Sequence, residues 1–352
     1  MPPSDPLRAR VQRYCTEVSR DRLMVQAAGG NVSWKSGNTL RIKASGTWLA
    51  HAQSQEIFVP VDRLPIEAAL AQGDYAVSPV ALGAHTLRPS IETLLHALMP
   101  HRFVVHLHPV EAMAHLVRHA CANALQAALG QSLEWALVGY HKPGAELAQG
   151  VHAVLRQRPG INVLLLKNHG VIVGGETMEE IERCMNTLSD RLRVEPRMPA
   201  ANDVPVLESM LDDGNYRPCR NAQLRSLATD PDLYRRLAHS WAICPDHVVF
   251  LGASAVCLER NPDTGAAIRA LDPSPPYVFI RGEGVLESRS ATAAHEAQLA
   301  FYLDVMVRQS ASQALDVLSA DQIGGLLNWD AEKYRQALNR AVSPSSTSSA
   351  SS

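Results

Sequence analysis

The sequence predicts an α/β fold, a three-layer α/β/α domain followed by a smaller, degenerate α/β domain of the same type. Short β-branched apolar runs bounded by polar turns read as buried strands, and the segments between them carry apolar residues at helical spacing. The second half repeats part of that pattern. At 352 residues and 46% hydrophobic content the chain can bury two cores. The expected boundaries are 1–200 and 207–341, with a proline-rich linker over 194–206 and a disordered serine-rich tail from 342 to 352.

In chain order, a helix is expected over 7–28, then strands near 39–43 and 56–60. Ser90 is a suitable N-cap for the next helix, in which Ile91, Leu94, Leu95, Leu98 and Met99 share a face. Glu92 falls in its first turn, where the helix dipole favours an ionised carboxylate. His96, one turn on, reads as an exposed i,i+4 neighbour. The run Arg102-Phe103-Val104-Val105-His106-Leu107-His108-Pro109 is a short strand closed by a proline. Helices follow near 109–129 and 144–157, then two apolar strands flanking the turn Lys167-Asn168-His169-Gly170, and a helix opened by Thr177 and Glu180 as a capping box.

The candidate chemistry lies in Glu92, His106, His108 and His169. Side chains alternate along a strand, so His106 and His108 project from one face and their imidazoles can converge on one ion. Fourteen histidines make about 0.5 chance His-x-His pairs, so this pair alone is equally well explained by core or surface histidines. His169, a polar ring at a turn between two core strands, needs a partner, and a metal already holding two imidazoles supplies one. Three neutral imidazoles leave a divalent ion its full charge and open coordination positions. Beside a carboxylate base, such a centre suits removal of a proton next to a carbonyl, or cleavage of a carbon–carbon bond through an enediolate.

Five motifs in order, Gly29-Gly30-Asn31-Val32-Ser33, Ile42-Lys43-Ala44-Ser45-Gly46-Thr47, Pro89-Ser90-Ile91-Glu92, His106-Leu107-His108-Pro109 and Lys167-Asn168-His169-Gly170, resemble the class II aldolase/adducin family over about residues 7–193. The family includes fuculose-phosphate and rhamnulose-phosphate aldolases and ribulose-phosphate 4-epimerase. The resemblance implies zinc on His106, His108 and His169, with manganese or another divalent ion as alternatives, and Glu92 as the acid/base. It also implies an anion cradle of Asn31, Ser45, Gly46 and Ser90, although the same glycines alone are ordinary turn residues. Ile91 stands where phosphate-specific members commonly carry a second serine, and Lys43 where many carry threonine. The substrate's anionic end is thus a carboxylate or a differently placed phosphate, met by Lys43. A homo-oligomer is implied by resemblance only. The expected reaction is metal-dependent aldol cleavage of a small sugar, sugar phosphate or sugar acid. The alternatives are a 4-epimerase, a 3-keto sugar-acid decarboxylase, or a non-catalytic adducin-like interaction module.

A formal charge of −2 without basic runs argues against nucleic acid as a partner, and no apolar stretch approaches membrane-spanning length. Met1-Pro2-Pro3-Ser4-Asp5 leads straight into a charged helical segment, so no export signal is expected. Six scattered cysteines fit reduced thiols in a cytoplasmic protein.

In the second half, 278–286 with the helix 292–307 lines up with 164–172 and its helix, and 247–252 with 103–108. Phe250, Gly252 and Glu283 then stand at the metal positions, so no second ion is expected. This half also resembles the segment following the aldolase domain in fused sugar aldolase/short-chain dehydrogenase enzymes. The glycine pattern of Leu251-Gly252-Ala253-Ser254-Ala255 does not fit a dinucleotide loop, and no NAD site is assigned.

Overall fold

The short apolar runs pair into a seven-stranded sheet. Its strands are β1 (Asn31–Ser36), β2 (Thr39–Lys43), β3 (Phe58–Asp62), β4 (Phe103–Leu107), β5 (Trp135–Val138), β6 (Val163–Leu166) and β7 (Gly170–Gly175), in the order β3-β2-β1-β4-β7-β6-β5. All neighbours are antiparallel except β5 and β6. The computed structural model describes residues 5–200 and 214–341; the expected tail, and the expected linker from residue 201 on, lie outside them.

Alternation along the strands sorts the core into layers. Phe103, Val105 and Leu107 of β4 face a cluster with Val11, Met113 and Ile181, which lie on helices Pro6–Val18, Val110–Leu116 and Met178–Arg191. Val104 faces the opposite cluster with Leu95, Leu147 and Val151, which lie on helices Thr93–Leu98 and Ala145–Gln157. Helices cover both faces, the expected α/β/α layering.

A further α/β region follows. Its strands β8 (Tyr216–Pro218), β9 (Val256–Leu258), β10 (Tyr277–Ile280) and β11 (Gly284–Ser288) pair in the order β8-β11-β10-β9. The apolar cluster containing Val105 and Met113 continues through Ile243, Val248, Phe279, Leu299 and Tyr302, so the two regions share buried surface. Polar ties reinforce the contact. Arg308 donates from Nε and Nη2 to Glu111 Oε1 at 3.0 and 2.9 Å, and Gln309 Nε2 donates to the Ala114 carbonyl at 2.9 Å. Part of the expected linker is also docked, since Arg197 forms a bidentate pair with Asp230 at 2.7 and 2.8 Å.

Several elements differ from expectation. The first helix ends at Val18, and within the Gly29–Ser33 segment Asn31 already opens β1. The helix expected over 109–129 is two, Val110–Leu116 and Cys121–Leu129. The hairpin β10–β11 and the helix Ala293–Met306 after it keep the expected pattern. Residues 247–251, however, lie in helix Pro245–Leu251 rather than in a strand. Pro245 starts that helix with Asp246 in its first turn, a start signal that overrides a β-branched run too short for periodicity to resolve. The correspondence that put Phe250 and Gly252 at metal positions therefore fails, and Glu283 instead pairs with Arg260 at 2.7 Å.

Candidate active site

Register and strand ends bring the candidate residues together. Asn31 of β1 lies opposite His106 of β4, and His106 lies opposite Ile172 of β7. His108 stands just past β4, where Pro109 ends the strand and precedes helix Val110–Leu116. His169 occupies the β6–β7 turn. Its neighbour Asn168 takes the left-handed conformation at φ 52° that asparagine tolerates, and donates from Nδ2 to the carbonyls of Ile243 and Asp316, both at 2.9 Å. A Cβ at Gly170 would lie 2.4 Å from the Leu107 carbonyl and 2.7 Å from the His108 ring, so only glycine lets this turn approach β4.

Among the described residues, His106, His108 and His169 are buried with ligand nitrogens all within 4.8 Å of one another. The Nε2 atoms of His106 and His108 are 3.1 Å apart. His106 donates its Nδ1–H to the Val171 carbonyl at 2.9 Å, which leaves Nε2 with a lone pair. Burial pushes the His169 pKa down to about 3, against an opposing pull from Glu92, so its ring is neutral. Glu92 Oε2 is 3.6 Å from His106 Nε2, and Glu92 Oε1 is 3.4 Å from His169 Nε2. Among the described residues, buried Glu92 Oε1 and His169 Nδ1 find no hydrogen-bond partner. Converging imidazole nitrogens, an adjacent carboxylate and buried polar atoms without partners suit a divalent cation.

The helix starts two residues later than expected, so Glu92 is the N-cap of Thr93–Leu98, with its side chain in the site rather than capping. Asn31 Nδ2 donates to Glu92 Oε2 at 2.6 Å, and the Glu92 N–H donates to Ser90 Oγ at 3.2 Å. Asn31, Lys43, Ser45, Gly46 and Ser90 line one cleft, into which Glu92, His108 and His169 also open. Lys43 is buried and donates to the Ala28 carbonyl at 3.1 Å. His96 is fully buried instead of exposed, with Nδ1 2.7 Å from Ser33 Oγ, because its helix packs over β1. Burial and the neighbouring His106, Lys35 and Lys43 lower its pKa well below the usual histidine value.

Sequence reasoning missed Asp246, a buried cleft residue whose Oδ2 is 3.5 Å from His108 Nδ1. An aspartate in a first helical turn is too common to single out, and its partner lies 138 positions earlier in the chain.

The profile of the Class II Aldolase and Adducin N-terminal domain matches residues 9–195, and the chain belongs to that family. The uncharacterized oxidoreductase YuxG of Bacillus subtilis (strain 168) is 24% identical over 301 residues, 70% of this chain and 41% of that protein. The chain thus spans less than half the length of that relative. Among solved structures, the N-terminal class II aldolase domain of a conserved protein from Thermoplasma acidophilum is 24% identical, with a TM-score of 0.43 over 52% of this chain and 90% of that one. L-fuculose-1-phosphate aldolase from Thermus thermophilus is 21% identical, with a TM-score of 0.38 over 53% and 90%. No helix among the described residues is long and apolar enough to cross a membrane.

Proposed function

We propose that this chain is a divalent-metal-dependent aldolase that cleaves a small sugar, sugar phosphate or sugar acid, and that it works as a cytoplasmic homo-oligomer. The observation that carries the reading is the convergence of His106, His108, His169 and Glu92 at one cleft that also presents a buried lysine. His106, His108 and His169 would hold the ion, zinc or manganese. When bound, such an ion draws electron density from substrate oxygens and favours the negative charge that develops as the carbon–carbon bond breaks. Residues 1–200 supply these groups. The location is supported by cysteines that are all unpaired.

Glu92 handles the proton. In the cleavage direction Glu92 takes the proton of the hydroxyl that becomes the aldehyde carbonyl, the carbon–carbon bonding pair passes to the carbon beside the other carbonyl, and Glu92 delivers the proton there; in condensation the same transfers run in reverse. Asn31 holds one carboxylate oxygen at 2.6 Å and so leaves the other for the transfer. Lys43, Ser45, Gly46 and Ser90 would receive the anionic end of the substrate, with Lys43 supplying the positive charge. Lys43→Ala is accordingly expected to raise KM with little change in kcat, because an anchoring charge acts alike on ground and transition states. Steady-state kinetics on the variant checks this, and a normal KM would remove Lys43 from substrate binding.

Testing the function requires a lyase screen, with zinc and with manganese, over ketose phosphates, free ketoses and 3-keto sugar acids. Fragment release that stops on chelation supports the aldolase. Inversion without fragments, or release of carbon dioxide, would replace it with an epimerase or a decarboxylase. Protein that binds no divalent ion and turns over none of these would favour an adducin-like module instead.

A further inference from the structure

We infer that Asp246, carried by the second α/β region, orients His108, so that this region completes the site instead of standing beside it. The inference rests on the metal-centre reading of the three histidines. Each imidazole in such a centre works through one nitrogen, and whatever the other nitrogen touches sets the tautomer and the ring plane. For His106 that partner is the Val171 carbonyl, which accepts the Nδ1–H at 2.9 Å and leaves Nε2 facing inward. His108 is placed for a similar division of labour, through a charge contact rather than a hydrogen bond. Its Nε2 is 3.1 Å from His106 Nε2, while its Nδ1 is 3.5 Å from Asp246 Oδ2. Both side chains are buried. A carboxylate at Nδ1 favours the tautomer with the proton on that nitrogen, which leaves the Nε2 lone pair for the ion. Two bare nitrogens 3.1 Å apart then repel unless a cation lies between them.

The backbone makes room for this contact. A Cβ at Gly29 would lie 2.9 Å from Asp246 Oδ2 and 3.2 Å from His108 Nδ1, so glycine at this position admits the carboxylate. The other arm of the second region braces the His169 turn. Asn168 Nδ2 bonds the carbonyls of Ile243 and Asp316, and Lys167 pairs with Asp316 at 2.9 Å. Ile243 is three residues from Asp246, so one segment contacts both ligand-bearing strand ends.

The test is zinc affinity of the full-length protein, measured by competition with a chromophoric chelator, for Asp246→Asn, Asp246→Ala and wild type. Asparagine keeps an acceptor oxygen without the charge and alanine keeps neither, so affinity should fall in that order. The loss for alanine should be about 10–100-fold. Metal-free Asp246→Asn should keep the melting temperature of metal-free wild type. In a His108→Ala background, Asp246→Ala should weaken zinc little further, since its partner is already gone. Equal affinity for all three proteins overturns the role of Asp246. So do a raised KM with unchanged zinc affinity, which makes Asp246 a substrate contact, and a metal-free Asp246→Asn that fails to fold. Wild type that takes up no divalent ion sinks the metal-centre reading itself, a result distinct from these.

Discussion

Glu92→Gln is expected to lower kcat by about 10²–10⁴ while the protein still holds about one metal ion per chain. Glutamine has the shape of glutamate, and its amide oxygen can still accept from Asn31 Nδ2, now 2.6 Å from Glu92 Oε2. What it cannot do is carry a proton at the other position, where buried Glu92 Oε1 has no hydrogen-bond partner among the described residues. Three imidazoles remain, so metal retention separates a proton-transfer role from a ligating one. Turnover and metal content measured on one preparation decide the matter. Near-normal turnover would place the acid/base elsewhere, and an epimerase or decarboxylase using another residue would become the better account. Loss of metal with activity would make Glu92 a ligand.

The parts of this site that are legible in the sequence are those whose chemistry is local. His106 lies on β4 and His108 just past its end, so period-two alternation is enough to put them on one face. The turn at His169 is marked by two apolar runs and a glycine, and the layer order follows from strands alternating with helices. The parts that are not legible depend on distant packing. His96 is buried because helix Thr93–Leu98 lies over β1, and nothing in the local pattern distinguishes that from a solvated helix face. Strand β1 is masked by Gly29 and Gly30, which dominate a short window although both precede the strand. Helix Pro245–Leu251 resembles a strand because Val248, Val249 and Phe250 favour one, while Pro245 and the buried contacts of all seven residues impose the helix. Asp246 reaches His108 from the first turn of that helix, a contact no strand pattern could suggest.

His169→Ala is expected to remove metal and activity together, with excess zinc partly restoring both. Losing a ligand should weaken binding more than losing an outer hydrogen-bond partner, which costs about 10–100-fold in affinity. Two features make the variant informative rather than merely unfolded. The turn is shaped by Asn168 and Gly170, and Asn168 is held by two carbonyls of the second region, so none of these depends on the His169 side chain. The imidazole is also neutral, since burial drives its pKa to about 3, so truncation removes no charge from the core. Circular dichroism and the melting temperature of the metal-free variant should therefore match those of metal-free wild type, while zinc titration shows weakened binding. A variant that keeps tight metal and loses turnover would move His169 from ligand to substrate contact. One that keeps both would leave His106 and His108, with Glu92, as the centre.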